Sequence, residues 1–137
     1  MKKTKFKPPY KIEKGKRRAT FSRQKFDRAG VYLIKNRNGK IVYVGHSQSS
    51  VYDTMYRHFQ SWNDNQRRVT YPKTGYTVRV VTTTPKQSVN LESLLIQKHK
   101  PKDNKYKLFL LTKFEIKQTE ESYKLAEIIP EGVDIGF

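Results

Sequence analysis

The chain has 137 residues, which suits one domain, and 35% of them are hydrophobic, enough for a modest core. It has no cysteine, which excludes disulfides and thiolate metal sites, and its three histidines (His46, His58 and His99) are far apart and give no zinc-like spacing. A formal net charge of +17, from 29 Lys+Arg against 12 Asp+Glu, favours a polyanion as partner, because each neutralised phosphate releases condensed counterions.

Residues 1–29 hold 12 basic and 2 acidic residues, a net of +10. This stretch, opening "MKKTKFKPPYKIEKGKRR", reads as an extended basic arm without its own core, and "ATFSRQKFD" as a short strand or turn leading into the domain. From Gly30 the pattern changes. Val31, Leu33, Val42 and Val44 alternate with Tyr32, Ile34, Ile41 and Tyr43, the period of pleated strands, around an "NRNG" corner that supplies Asn38-Gly39 for a turn. A four-residue loop sets Tyr32 opposite Tyr43, and a two-residue loop sets Tyr43 opposite Ile34. Both put the two tyrosines on one face, whereas a three-residue loop would separate them.

A helix is expected next, capped by Ser49 or Ser50 with Asp53 in its first turn, and with Val51, Met55, Phe59 and Trp62 on one stripe. Arg57 falls off that stripe and His58 sits at its edge. The polar, basic loop "NDNQRRVTYPKTG" leads to a third strand over residues 76–84. "TPKQ" then forms a capping box for a second helix over about Pro85 to His99, stopped by Pro101. Within the apolar arc of that helix stands Glu92, an unusual place for a carboxylate because an unpaired buried charge is costly. Beyond Lys105 the apolar runs suggest two or three further strands or short elements. Residues 105–137 carry 5 basic and 6 acidic residues, a net of −1, so the positive field lies on the N-terminal arm and the middle of the chain. No apolar run approaches the length of a membrane span and no signal-peptide core is present, so a cytoplasmic protein without membrane contact is expected.

Two motifs in this order resemble the GIY-YIG nuclease superfamily. Gly30-Val31-Tyr32 stands in the GIY position and Tyr43-Val44-Gly45 in the YIG position, with ten residues between the tyrosines. "LESLLIQKHKPKDN", residues 91–104, resembles the family's metal-binding segment. The resemblance implies an α+β fold, with a small central antiparallel three-stranded sheet flanked by helices. Residues 1–29 would be a basic arm, 30–104 the nuclease core, and 105–137 an extension packed on that core with extra strands.

It further implies an endonuclease that hydrolyses phosphodiester bonds of DNA with Mg²⁺ (or Mn²⁺). In that scheme Tyr32 is general base or orients the attacking water, Tyr43 holds the water or shares the proton, and Glu92 is the metal ligand. The position eight residues after Gly45, where the family carries an arginine, is Asp53 here. With one residue inserted, Thr54 takes that slot and His58 matches the later family position. Arg57, three residues after Thr54, is then the candidate for stabilising transition-state charge, with Arg79 or a lysine as fallback. His58 is placed to protonate the leaving group or bond the phosphate. Gly45, His46, Arg67, Arg68, Lys98, Lys100, Lys102 and Asn104 are expected along the approach of the nucleic acid. The alternative is a noncatalytic basic nucleic-acid-binding domain that keeps the fold, and monomer and homodimer both stay open.

Overall fold

The computed structural model describes residues 2–60, 69–104 and 113–128. Its elements in chain order are β1 (Lys2–Lys3), β2 (Tyr10–Glu13), β3 (Lys16–Ala19), α1 (Arg23–Phe26), β4 (Gly30–Lys35), β5 (Ile41–Ser47), α2 (Val51–Tyr56), a 3₁₀ turn (Arg57–Phe59), β6 (Thr77–Thr82), α3 (Pro85–His99) and α4 (Lys113–Ile128). The expected three-stranded antiparallel sheet is β6-β4-β5, and β1 extends it to the order β1-β6-β4-β5. β2 and β3 form a separate hairpin.

Alternation along the strands builds two cores, one on each face. Tyr32, Ile34, Val78 and Val80 pack with Val51, Met55, Tyr56 and Phe59 of the α2 region. Val31, Leu33, Val44 and Val81 pack with Leu91, Leu95 and Ile96 of α3. The helices start where the sequence says they should. Ser50 caps α2 by accepting from the Asp53 N–H, and the Thr84–Gln87 capping box opens α3. Lys100, in the left-handed conformation, ends α3 before Pro101.

The register of the β4–β5 pair follows the two-residue alternative near the site, with Ile34 opposite Tyr43 and Tyr32 opposite Gly45. Towards the turn it shifts, so that Lys35 faces Ile41. The connection is held by Asn36, whose side chain accepts from the Asn38 and Lys40 N–H groups, and by Gly39 at φ +79°. The shift absorbs one residue and turns Val42 into the Tyr32-side core.

Two expectations are corrected. The N-terminal segment does not extend free of the domain. Thr4 and Lys7 bond backbone to backbone with Val80 and Val78, and Phe21 and Phe26 are buried in the core. Its aromatic residues, spaced among the lysines, supply the apolar surface that seats it. Where further strands or short elements were expected after residue 104, residues 105–112 and 129–137 lie outside the described residues and Lys113–Ile128 is one helix. Its run of Glu, Lys, Gln, Leu and Ala consists of good helix formers, with few β-branched residues to favour a strand. This helix packs on α3 and β1, and Tyr123 sits under the Lys3 ammonium, 3.9 Å from the ring centroid.

Candidate active site

Tyr32 lies on the central strand directly across from Gly45 on the neighbouring strand. Its ring crosses over that glycine. A Cβ at residue 45 would come 2.8 Å from Tyr32 Cε1 and closer still to Cζ and the hydroxyl. The first tyrosine and the last glycine of the hairpin are therefore one feature, since the absent side chain is the room in which the phenol lies. Tyr43 flanks it on the same face, with ring centroids 6.1 Å apart and planes nearly parallel.

His58 completes this cluster. It is 3% exposed, and its ring centroid is 4.6 Å from that of Tyr43 and 5.5 Å from that of Tyr32. Its two nitrogens have different partners: Nδ1 is 2.7 Å from the Val69 carbonyl oxygen, and Nε2 is 2.7 Å from the Tyr32 hydroxyl. A carbonyl only accepts, so Nδ1 carries a proton and donates it there. In the neutral ring Nε2 then accepts from the Tyr32 O–H. The 3₁₀ turn holds this imidazole by a further backbone bond, from the Tyr71 N–H to the His58 carbonyl (2.7 Å).

Glu92 approaches from the other face. It is 7% exposed, within the buried side of α3, as its place in the apolar arc implied. Its Oε2 lies 2.8 Å from His46 Nδ1. That contact is close but lacks the direction of a hydrogen bond, and the buried Nδ1 has no hydrogen-bond partner. His46 directly follows Gly45 on β5, and β5 is the outer strand of the sheet among the described residues. The Gly45–His46 step is thus where the tyrosine face and the carboxylate face meet, at the rim of the sheet.

Residues 100–104 run along that rim. The Asp103 N–H donates to the Val42 carbonyl, while Asn104 accepts from the Val44 N–H and donates to its carbonyl, both at 2.8 Å. Both ends of the Asn104 amide are therefore used in holding this segment against β5. Asp103 also receives the Tyr71 hydroxyl at 2.6 Å. Burial, with the Asp103 bond and charge adding to it, pushes the Tyr71 phenol up from its usual value. Tyr71 and Asp103 escaped the sequence reading, because a tyrosine in a polar loop has no periodicity to announce it.

Lys100 and Lys102 are exposed beside this rim. Lys98 points towards α4, where Glu120 is 3.7 Å away. Arg57 is exposed, one residue before His58. Arg79 pairs with Leu33 across the sheet, on the face of α3, and its guanidinium lies 4.6 Å from the Phe6 ring centroid. Alternation thus sets Arg79 on the side opposite Tyr32, the face on which Glu92 lies. Arg67 and Arg68 lie outside the described residues, as does Trp62.

Residues 28–105 match the model of the UvrC-like GIY-YIG domain, over more than half of the chain. Among curated proteins the chain is similar to UvrABC system protein C of Desulfotalea psychrophila, 36% identical over 76 residues, which are 55% of this chain and 12% of that protein. It is also similar to the proteins of the same name from Protochlamydia amoebophila (34% over 77 residues, 55% of this chain and 12% of that protein) and Symbiobacterium thermophilum (38% over 81 residues, 57% and 13%). The chain thus spans about an eighth of the length of these relatives. The domain match covers both hairpin motifs, His58, Glu92 and Asn104, and on it the chain belongs to the UvrC-like GIY-YIG family, as a nuclease-type domain.

Proposed function

We propose that the chain is an endonuclease that hydrolyses phosphodiester bonds of DNA with a divalent metal ion. The observation that carries this reading is the chain of contacts from Tyr32 through His58 to the Val69 carbonyl, one strand step from the His46–Glu92 pair. The net charge of +17 supports a polyanionic substrate.

In the proposed reaction the oxygen of water attacks phosphorus as the phosphorus–oxygen bond to the departing sugar breaks, and that sugar oxygen takes its proton from solvent, since both His58 nitrogens are engaged. Tyr32 Oη takes the proton from that water as its own passes to His58 Nε2. The resulting imidazolium keeps its Nδ1–H on the Val69 carbonyl, so the ring gains charge without losing a partner. A phenol with a pKa near ~10 is a poor base in isolation, and the histidine behind it makes it competent near neutral pH. Tyr43, half-buried against the His58 ring, holds the water from the side. Arg57, exposed at the start of the 3₁₀ turn, is free to extend to the charge growing on the phosphate oxygens.

The residues fit a divalent cation. A nearly buried carboxylate beside a buried imidazole nitrogen that lacks a hydrogen bond is a donor pair suited to Mg²⁺ or Mn²⁺, the imidazole favouring Mn²⁺. Among the described residues there is no group of three or more His, Cys, Asp or Glu that would enclose an ion. Glu92, with His46 beside it, would therefore leave positions for water and phosphate. Bound there, the metal would polarise the phosphate and neutralise developing charge.

The experiment is nicking of supercoiled plasmid at low salt with Mg²⁺ or Mn²⁺, comparing the wild type with Glu92→Ala and running an RNA substrate in parallel. Metal-dependent nicking that is lost in the variant is the expected result. If the wild type binds DNA and RNA but cuts neither, the enzyme reading falls. The noncatalytic binding module, which Thr54 in the arginine slot favours, then takes its place.

A further inference from the structure

The β2–β3 hairpin plays no part in the site, yet it is built as a protruding instrument. Lys11 to Arg18 are all exposed, and these eight residues include Lys11, Lys14, Lys16, Arg17 and Arg18 against the single acid Glu13. Lys14 and Gly15 both have positive φ, 52° and 75°, the two central residues of a tight primed turn that matches the twist of a two-stranded ribbon. Ile12, 72% exposed, is the large hydrophobic residue left on the surface among the described residues. It faces Arg17 across the ribbon. An apolar side chain flanked by cations near a ribbon tip serves no packing need.

The base of the hairpin is fixed to the site by one hydroxyl. Tyr56 Oη donates to the Pro9 carbonyl at 2.6 Å and accepts from the Phe21 N–H at 3.2 Å. Pro9 immediately precedes β2, and Phe21 follows β3 by two residues. The Thr20 N–H also donates to the Pro9 carbonyl, and the Tyr10 ring packs 5.3 Å from that of Tyr56. Tyr56 is followed directly by Arg57 and His58. Both ends of the ribbon are thus clamped to the residue that leads into the proton-accepting turn.

We propose that this hairpin enters the major groove of duplex DNA and positions the duplex for the site, an inference that rests on the nuclease reading above. The dimensions agree. Two strands about 4.8 Å apart, projecting roughly 10 Å from Tyr10 to Glu13, fit a groove about 12 Å wide and about 8.5 Å deep. Lys16, Arg17 and Arg18 meet phosphates along the groove, and Ile12 meets the apolar methyl groups of thymine. The deep, narrow major groove of an RNA duplex does not admit such a ribbon, so the hairpin works on duplex DNA.

The test measures binding of a labelled duplex by fluorescence anisotropy in EDTA, so that nothing is cut, from 50 to 500 mM salt. It compares the wild type, the triple variant Lys16→Ala/Arg17→Ala/Arg18→Ala, and a control that loses equal charge elsewhere, Lys86→Ala/Lys117→Ala/Lys124→Ala. All six side chains are exposed, so all three proteins should melt alike. Loss of three phosphate contacts lowers the slope of log affinity against log salt by about 2.7, which at 0.1 M salt is a loss of about 500-fold. The control is expected to lose less than about threefold, and the RNA duplex to distinguish the hairpin variant from the control by no more than that. Equal losses in the two variants, equal losses on DNA and RNA, or no loss would overturn the hairpin while leaving the nuclease reading to the plasmid assay. A wild type that binds no nucleic acid overturns both.

Discussion

Gly45→Ala adds a single methyl group at the point where the Tyr32 ring crosses the neighbouring strand. That carbon would lie 2.8 Å from Cε1 and closer to Cζ and the hydroxyl, so the phenol has to move. Tyr32 is 1% exposed and belongs to a packed core, which leaves it little room to move without disturbing neighbours. Overpacking of this kind costs about 1–3 kcal/mol. Shifting the hydroxyl also breaks its bond to His58, a loss of about 1 kcal/mol or more for a buried pair. Replacing glycine by alanine restricts the unfolded chain, which returns about 0.5–1 kcal/mol. The net is a loss of about 2–3 kcal/mol, or roughly 10 °C in melting temperature for a chain of this size.

Urea unfolding of Gly45→Ala, Tyr32→Val and the double variant isolates the cause. If the glycine exists to seat the phenol, the alanine costs about 2–3 kcal/mol in the wild type and less than about 0.5 kcal/mol in the Tyr32→Val background. Equal costs in both backgrounds would refute the argument, because the methyl group would then be clashing with something other than Tyr32. Gly39 is a useful contrast. A Cβ there meets nothing within 4 Å, so Gly39→Ala reports only the strain of φ +79°, in both backgrounds alike.

Tyr32→Phe keeps the ring but leaves His58 Nε2 without its donor, and should cost about 1–3 kcal/mol in unfolding experiments while slowing plasmid nicking by about 10²-fold or more. Burial raises the Tyr56 phenol above its ordinary 10.0, so above that pH the unfolded chain releases a proton that the folded chain keeps, and stability falls as pH rises. Denaturant titrations between pH 9 and 11.5 should show that fall, up to about 1.4 kcal/mol per pH unit from this residue, and Tyr56→Phe should remove its share. Asn104→Ala strands the buried N–H and carbonyl of Val44 and should cost about 2–4 kcal/mol, with Mn²⁺ affinity measured by calorimetry unchanged. Arg57→Ala should lower the nicking rate by about 10²–10³-fold with stability unchanged, and full activity in that variant would remove Arg57 from the site.

What the sequence made legible is what strict periodicity governs. Side chains alternate along a strand, so Tyr32 and Tyr43 had to share a face under either even loop length, and they do. The Thr84–Gln87 box and the arc containing Glu92 are equally local, and both are where the pattern put them. The contacts that make a site of these residues are not local. The Tyr32–His58 bond depends on α2 tightening into a 3₁₀ turn above the sheet, and the His46–Glu92 pair depends on α3 crossing the outer strand. Neither the docking of a helix end nor its angle is written in the spacing of apolar residues. The N-terminal segment docks for a related reason: its aromatic residues are too sparse to form a core of their own, but they suffice to complete one built by other parts of the chain.

The same 3₁₀ turn bears on the missing arginine. Thr54 occupies the expected slot and is half-buried, too short to reach a phosphate. In an α-helix residues three apart differ by about 60° around the axis, whereas in a 3₁₀ turn they eclipse. α2 ends at Tyr56, and the turn of Arg57–Phe59 follows at once, with Arg57 as the helix C-cap. The Arg57 N–H still bonds the Asp53 carbonyl in the α-helical manner, so Arg57 stays about 60° from Thr54 around the axis, and the tighter spacing begins after it, with the Gln60 N–H bonded to the Arg57 carbonyl. On the proposed reading the Arg57 side chain would have to span that difference to reach the phosphate, which the Arg57→Ala nicking measurement tests. His58, by contrast, is fixed by both of its ring nitrogens, whichever residue supplies the cation.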